Sequence, residues 1–327
     1  MRKNVLVLSL AVVMMLNLAA CGGTNKEETK PANSDTAVST TKEEAPAKER
    51  TIQYLGKEYT VPGKVNKIVI TGAMEAMEDA LVLGVEPVGA ITVGGTFPTM
   101  FKDITKNSVS IGEKIQPNLE AILKLTPDVI LGSSKFPTET AEQLQKISVT
   151  FPVSHIATNW EANLKLLGEL TGKQQQAEEA LKKYKDDLQT AKGQFGKTLA
   201  DKKVVVVRIR AGNISIYPTD VYFNPVLYSD LGLPVPNEIK AAKAQETISL
   251  EKFSEMNPDY IFLQFAESEN QAQPQALEEL KNKPIWKSLN AVKNGNVFVN
   301  AVDPLAQGGT AWSKINFLKA VMEKLPK

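Results

Sequence analysis

The chain carries one cysteine and one histidine among its 327 residues. No disulfide can form within it, and no zinc site of the multi-Cys or multi-His kind is available. A Ser-His-Asp hydrolase would have only His155 to use. A surplus of one charge is lacking too, since 38 basic residues face 37 acidic ones for a formal net charge of +1. This excludes a general nucleic-acid binder, which draws its affinity from excess cations on phosphates. No GxGxxG, P-loop or GxSxG elbow occurs, and Gly94-Gly95 and Gly308-Gly309 read as turns. The apolar run from Val5 to Leu16, broken only by Ser9, covers ~18 Å of helix, short of a hydrocarbon core of ~30 Å. What is present is ordinary for a globular chain: 43% apolar and 23% charged residues. The length suggests two domains and a core that needs no covalent staples.

Arg2 and Lys3 followed by a short apolar stretch read as a secretory signal peptide over residues 1–20. The stretch ends in Leu18-Ala19-Ala20-Cys21-Gly22, which resembles the lipobox of bacterial lipoproteins. There the cysteine thiol takes a diacylglycerol and becomes the mature N-terminus. Cleavage before Cys21 would remove Arg2 and Lys3, shift the net charge from +1 to about −1, and leave no free thiol. Gly22 to Glu49 has no aromatic and only Val38 as a β-branched aliphatic. Such a segment buries too little apolar area to offset ordering entropy, so residues 21–50 read as a lipidated, disordered tether.

The remainder reads as an α/β lobe over 51–160, connecting helices over 161–198 and a second α/β lobe over 199–327. Arg50–Pro62 alternates as a hairpin around Gly56-Lys57. Lys67–Thr71, Pro87–Ile91, Asp128–Leu131 and Val153–Ile156 read as strands, and Met74–Leu83 and Asn118–Leu125 as helices. Strands alternating with helices predict a mostly parallel sheet. Trp160–Leu170 and Gln174–Gln194 have helical spacing. The Lys203–Arg210 run holds four consecutive valines, the mark of a strand buried on both faces. Tyr260–Phe265 and Asn296–Asn300 are further strands, with helices at Leu250–Met256, Gln275–Leu280 and from Trp312 onward. Asn118–Ile130 and Ser249–Ile261 form a weak internal repeat, pairing Leu119 with Leu250, Glu120 with Glu251, Pro127 with Pro258 and Asp128 with Asp259. One copy per half implies two related lobes with a ligand cleft between them.

Signal, tether, two lobes and the paired Leu-Glu and Pro-Asp units together resemble the substrate-binding lipoproteins of ferric-siderophore ABC importers. Pro284–Phe298 matches a late signature of that class. Met74–Asp79, Ser134–Pro137, Val206–Arg210, Lys240–Glu246 and Asp303–Trp312 are similar to its receptors for the tris-catecholates ferric bacillibactin and enterobactin. The resemblance implies a two-lobed, periplasmic-binding-protein-like α/β fold of class III, its lobes joined by a single long helix. It implies a non-enzymatic, monomeric receptor outside the cytoplasm, held to the cell membrane by lipidated Cys21, with no covalent group except the diacylglycerol. Lys114, Lys135 and Lys243 would form a basic triad around the catecholates, Arg208 and Arg210 would add charge and hydrogen bonds, and Gln245 a polar contact. Glu120 and Glu251, one per lobe, would meet the permease subunits. The tris-catecholate receptor type it resembles carries Gln after Arg-Ile-Arg, where this chain has Ala211, so ligand choice within the catecholates is open.

The chemistry of such a ligand agrees with the residues. Six catechol oxygens wrap the iron and leave a net charge of about −3, so the protein owes it cations rather than metal ligands. A unit ion pair at 4 Å is worth about 4 kcal/mol gross at an effective dielectric near 20, and desolvation takes much of it back. Several cations are therefore needed. Arg208 and Arg210 share parity on their strand and point to one side. Lys135 follows a strand directly, where open α/β sheets bind ligands. Rival readings are the same importer class with a hydroxamate or citrate siderophore or a corrinoid, a secreted siderophore esterase, and a structural surface lipoprotein.

Overall fold

A computed structural model describes residues 48–326. The signal peptide, Cys21 and nearly all of the tether lie outside the described residues. Strands β1 (Arg50–Tyr54) and β2 (Lys57–Val61) form an antiparallel hairpin closed by Leu55 and Gly56, both at positive φ. The first large sheet has the order β6-β5-β4-β3-β7-β8. Its strands are β3 (Ile68–Thr71), β4 (Gly89–Thr92), β5 (Val109–Glu113), β6 (Gln116–Pro117), β7 (Val129–Ser133) and β8 (Val149–Val153). All pair in parallel except β5 with β6. Three helices connect them: α1 (Met74–Leu83), α2 (Leu119–Leu125) and α3 (Thr138–Gln145). Gly84 closes α1 in the left-handed conformation at φ 59°.

Helices α4 (Trp160–Thr171) and α5 (Gln174–Phe195) follow, and the 22 residues of α5 make a rod of roughly 33 Å. The second sheet has the order β11-β10-β9-β12-β13. It comprises β9 (Val204–Arg210), β10 (Asn213–Ile216), β11 (Glu246–Thr247), β12 (Tyr260–Phe265) and β13 (Val297–Val299). Here β9, β12 and β13 run parallel, whereas β10 and β11 are antiparallel. The valine run of β9 is wholly buried. Helices α6 (Asn237–Ala241), α7 (Leu250–Met256), α8 (Ala276–Asn282), α9 (Pro284–Ser288), α10 (Asn290–Lys293) and α11 (Ala311–Lys324) complete the fold. No described helix is long and apolar enough to cross a membrane.

Three expectations change. The strand expected at Val153–Ile156 lies at Val149–Val153, an edge strand that tolerates Pro152, and it leaves His155 two residues beyond its end. The second sheet is mixed rather than mostly parallel, because the Ala211-Gly212 turn folds β10 back on β9. Strand β5 and helix α3 were not anticipated from the sequence pattern.

The internal repeat is structural. Asn118 Oδ1 accepts from Ala121 N–H at 3.0 Å and Ser249 Oγ from Lys252 N–H at 3.2 Å, so α2 and α7 start on matching side-chain caps. Thr126 and Asn257 end them in the left-handed region, at φ 46° and 43°, one residue before each Pro-Asp. Asp128 Oδ2 accepts from Lys67 N–H at 2.8 Å, and Asp259 Oδ2 from Lys203 N–H at 2.9 Å. Each aspartate therefore pins the start of one parallel strand to its neighbour.

Candidate ligand-binding site

The carboxyl ends of the parallel strands carry the candidate side chains. Strand β7 ends at Ser133 and runs into Ser134-Lys135-Phe136. Phe136 can tuck in because Gly72, at φ +68°, has no side chain; a Cβ there would lie 2.3 Å from the Phe136 ring. Lys135 is left exposed at the rim. Lys114 sits in the β5–β6 turn. The preceding Glu113 accepts from Thr92 Oγ1 at 2.7 Å, Gly95 N–H at 2.9 Å and Gly94 N–H at 3.1 Å. These bonds hold its carboxyl below the ordinary range and fix the turn. Lys114 Nζ donates to Gln307 Oε1 at 3.2 Å, which reaches from the first sheet to the segment before α11. Burial lowers the Lys114 pKa, and Lys135 and Arg208 act in the same direction against Glu75.

In the second sheet Arg208 and Arg210 leave the same face of β9, as their parity predicts. Arg208 is buried. Its Nε donates to Glu269 Oε2 at 2.7 Å, one terminal nitrogen donates to Pro304 O at 3.2 Å, and the guanidinium lies 5.3 Å from the Tyr222 ring centre. Arg210 is exposed; it donates to Gln245 Oε1 at 2.8 Å and lies 3.4 Å from Glu269 Oε1. A recess of about 400 Å³ joins Lys135, His155, Arg208, Arg210, Gln245 and Gln307, a size ordinary for a small-molecule site. Glu75, Asp220, Tyr217 and Tyr222 also line it. The lining is thus mixed in charge, not simply basic: cations set this close gain from carboxylates beside them.

Among the expected residues, the recess gathers Lys135, Arg208, Arg210 and Gln245, and Lys114 joins it through Gln307. Lys243 is exposed in the loop two residues before Gln245 and does not line the recess; its backbone N–H donates to Glu246 Oε1 at 2.9 Å. Glu120 and Glu251 occupy the first turns of α2 and α7, both exposed and away from the recess. Glu120 pairs with Lys124 at 2.7 Å. The sequence reading missed Glu269, Glu75, Gln307 and Tyr222, whose placement depends on chain crossings that no local pattern encodes. Ser134 Oγ lies 2.9 Å from His155 Nδ1, but it also accepts His155 N–H at 3.2 Å. This is a local turn contact that ties the ends of β7 and β8 together. Burial and Lys135 lower the His155 pKa against Glu75.

The recess is floored by a seam between α1 and the chain entering α11. Glu78, fully buried, accepts from Gln307 N–H at 2.7 Å, from Ser313 Oγ at 2.5 Å and from the Thr310 hydroxyl. Gly308 and Gly309 are more than turn residues. A Cβ on Gly308 would meet the Tyr222 backbone at 2.4 Å, and one on Gly309 would meet Ala157 Cβ at 2.6 Å. Two of the segments that carry the family resemblance, Met74–Asp79 and Asp303–Trp312, therefore meet here.

Comparison with known proteins agrees with this geometry. Residues 69–301 match the family model described as periplasmic binding protein. The iron-uptake system-binding protein of Bacillus subtilis is 51% identical over 323 residues, covering 99% of each chain. A crystal structure of the B. subtilis triscatecholate siderophore binding protein FeuA complexed with ferri-bacillibactin is 56% identical, with a TM-score of 0.79 over 84% of this chain and 97% of that one. Staphylococcus aureus SirA complexed with staphyloferrin B is 27% identical, with a TM-score of 0.70 over 84% of this chain and 98% of that one. With two sheets whose parallel strands end at one recess, and with relatives matched along its whole length, the chain belongs to the periplasmic binding protein family.

Proposed function

We propose that this protein is a receptor outside the cytoplasm that binds a ferric tris-catecholate siderophore in the recess and delivers it to an ABC permease. The observation that carries the reading is the convergence of Lys135, Arg208, Arg210 and Gln245 on one recess, with Lys114 joined through Gln307. These groups come from both sheets, as a bulky trianion requires. Six catechol oxygens already wrap the iron of such a ligand, so the recess owes it cations rather than metal ligands. Among the relatives named above, FeuA has a structure complexed with ferri-bacillibactin, and its identity to this chain exceeds half. Lys243 would reach the ligand from its exposed loop as a weaker partner. Lipidated Cys21 would hold the receptor at the membrane, which the mass of the mature N-terminus checks, and Glu120 and Glu251 would dock the permease.

The test is a fluorescence titration of the full chain with ferric bacillibactin and, separately, with ferrichrome. Saturable quenching by the first alone is expected. Lys114→Ala and Lys135→Ala should each weaken binding roughly tenfold, about 1.4 kcal/mol, and Lys243→Ala two- to threefold. Unchanged affinity in all three variants would sink the tris-catecholate mechanism. A response to ferrichrome alone would keep the importer reading and overturn the ligand.

A further inference from the structure

Both guanidiniums at the recess share one carboxylate, and they share it unequally. Arg208 has a side chain only 7% exposed, and its donors go to Glu269 Oε2 at 2.7 Å and Pro304 O at 3.2 Å, with the Tyr222 ring beneath it. Arg210 is 44% exposed, stands 3.4 Å from Glu269 Oε1, and donates to the side chain of Gln245 at 2.8 Å. Glu269 itself is built in. Its carbonyl accepts from Ala211 N–H at 3.1 Å. The next residue, Asn270, donates to Ile209 O at 2.9 Å and Ala266 O at 2.8 Å and accepts from Gly212 N–H at 3.0 Å. The short turn that carries Glu269 is thus bolted to the end of β9, which carries the arginines, and to the Ala211-Gly212 turn after it, so the backbone of Glu269 is held beside both guanidiniums.

We propose that Glu269 is the charge-selecting residue of the recess: it locks Arg208 in place, and it is the anion that a ligand must out-compete for Arg210. A singly charged anion at Arg210 replaces one carboxylate contact with another and gains little. A trianion gains, because its remaining charge also meets Lys135 and Lys114. A neutral chelate gains nothing from the arginines. Arg208 is then a positioning residue and Arg210 the ligand contact. The proposal rests on the tris-catecholate reading above.

The experiment compares the full chain with its Glu269→Gln and Glu269→Asp variants, titrated with ferric bacillibactin and with ferrichrome at low and high salt. Glu269→Gln is expected to bind the trianion about tenfold tighter with a steeper salt dependence, and ferrichrome within twofold of wild type. Glu269→Asp keeps the charge and should keep the wild-type selectivity. Equal or weaker trianion binding by Glu269→Gln, or a parallel shift for both ligands, overturns the proposal. Failure of the functional reading looks different, because wild type and variant alike then ignore the tris-catecholate. The clamp is still read in the ligand-free protein from solvent exchange of the Arg208 Nε–H proton, which Glu269→Gln must accelerate. Unaltered exchange overturns the clamp whatever the protein binds. Should Glu269→Gln fail to fold, Arg210→Gln reads the same division of labour: it must lose the trianion about tenfold and leave the Arg208 proton protected, and loss of that protection overturns the proposal.

Discussion

Ala211 stands in a backbone conformation that suits glycine or asparagine better. With Gly212 it forms the two-residue turn between β9 and β10, at φ 44° and 76°, where both positions need positive φ. A Cβ in the left-handed region costs about 1–2 kcal/mol, part of which alanine recovers through its less flexible unfolded chain. Ala211→Gly should therefore raise stability by about 0.5–1 kcal/mol in urea unfolding; a loss would mean that the Cβ packs usefully in the turn. The same turn shows how far single residues are legible. That Arg208 and Arg210 face one side follows from strand parity alone. That a carboxylate stands between them does not, because Glu269 reaches β9 only through the parallel pairing of β12 with β9.

At the scale of elements, the repeat is the most informative feature. Helices α2 and α7 share their caps, their left-handed ends and the aspartate that follows, so Glu120 and Glu251 stand at equivalent, exposed first-turn positions of two related units. A carboxylate there is favoured by the helix N-terminus, but neither touches the recess. Reversal to lysine at either position should lower siderophore transport in reconstituted vesicles about tenfold and leave ligand affinity within twofold. A transport rate that survives both reversals would remove these helices from the docking surface. Among the described residues Glu251 makes no ion pair, whereas Glu120 is held by Lys124 at 2.7 Å, so the reversal at Glu251 should be the more damaging. The difference will be small, since exposed pairs of this spacing are worth about 0.3–0.5 kcal/mol.

For the whole molecule, the seam between α1 and α11 ties the two sheets together through buried acids. Burial pushes the Glu78 carboxyl up to about 7, although Ser313, Thr310 and the Gln307 backbone favour its charged form. Asp79 beside it is also pushed well up, first by burial and then by Glu78. An acid whose pKa is higher folded than unfolded binds a proton preferentially in the folded state, so its contribution to stability falls as pH rises from about 4.5 to about 7. Thermal melts of wild type and Glu78→Gln at pH 5.5 and pH 8 should show wild type gaining a few °C on the variant at the lower pH. A constant gap between the two proteins would show that Glu78 stays ionised throughout.

The elements themselves were largely legible in advance: the β1–β2 hairpin, α1 with its glycine end, the valine strand, the long α5 and the paired helices all follow from local propensity, period and capping. The family resemblance and the cations of the recess were readable for the same reason, since residue type and strand parity are local properties. Chain crossings supplied the rest. The counter-charges Glu269 and Glu75, the Gln307 bridge to Lys114 and the close approach at Gly308 and Gly309 join residues far apart in sequence. Their partners are set by which strands pair and which helices pack, and a linear pattern carries no signal for that.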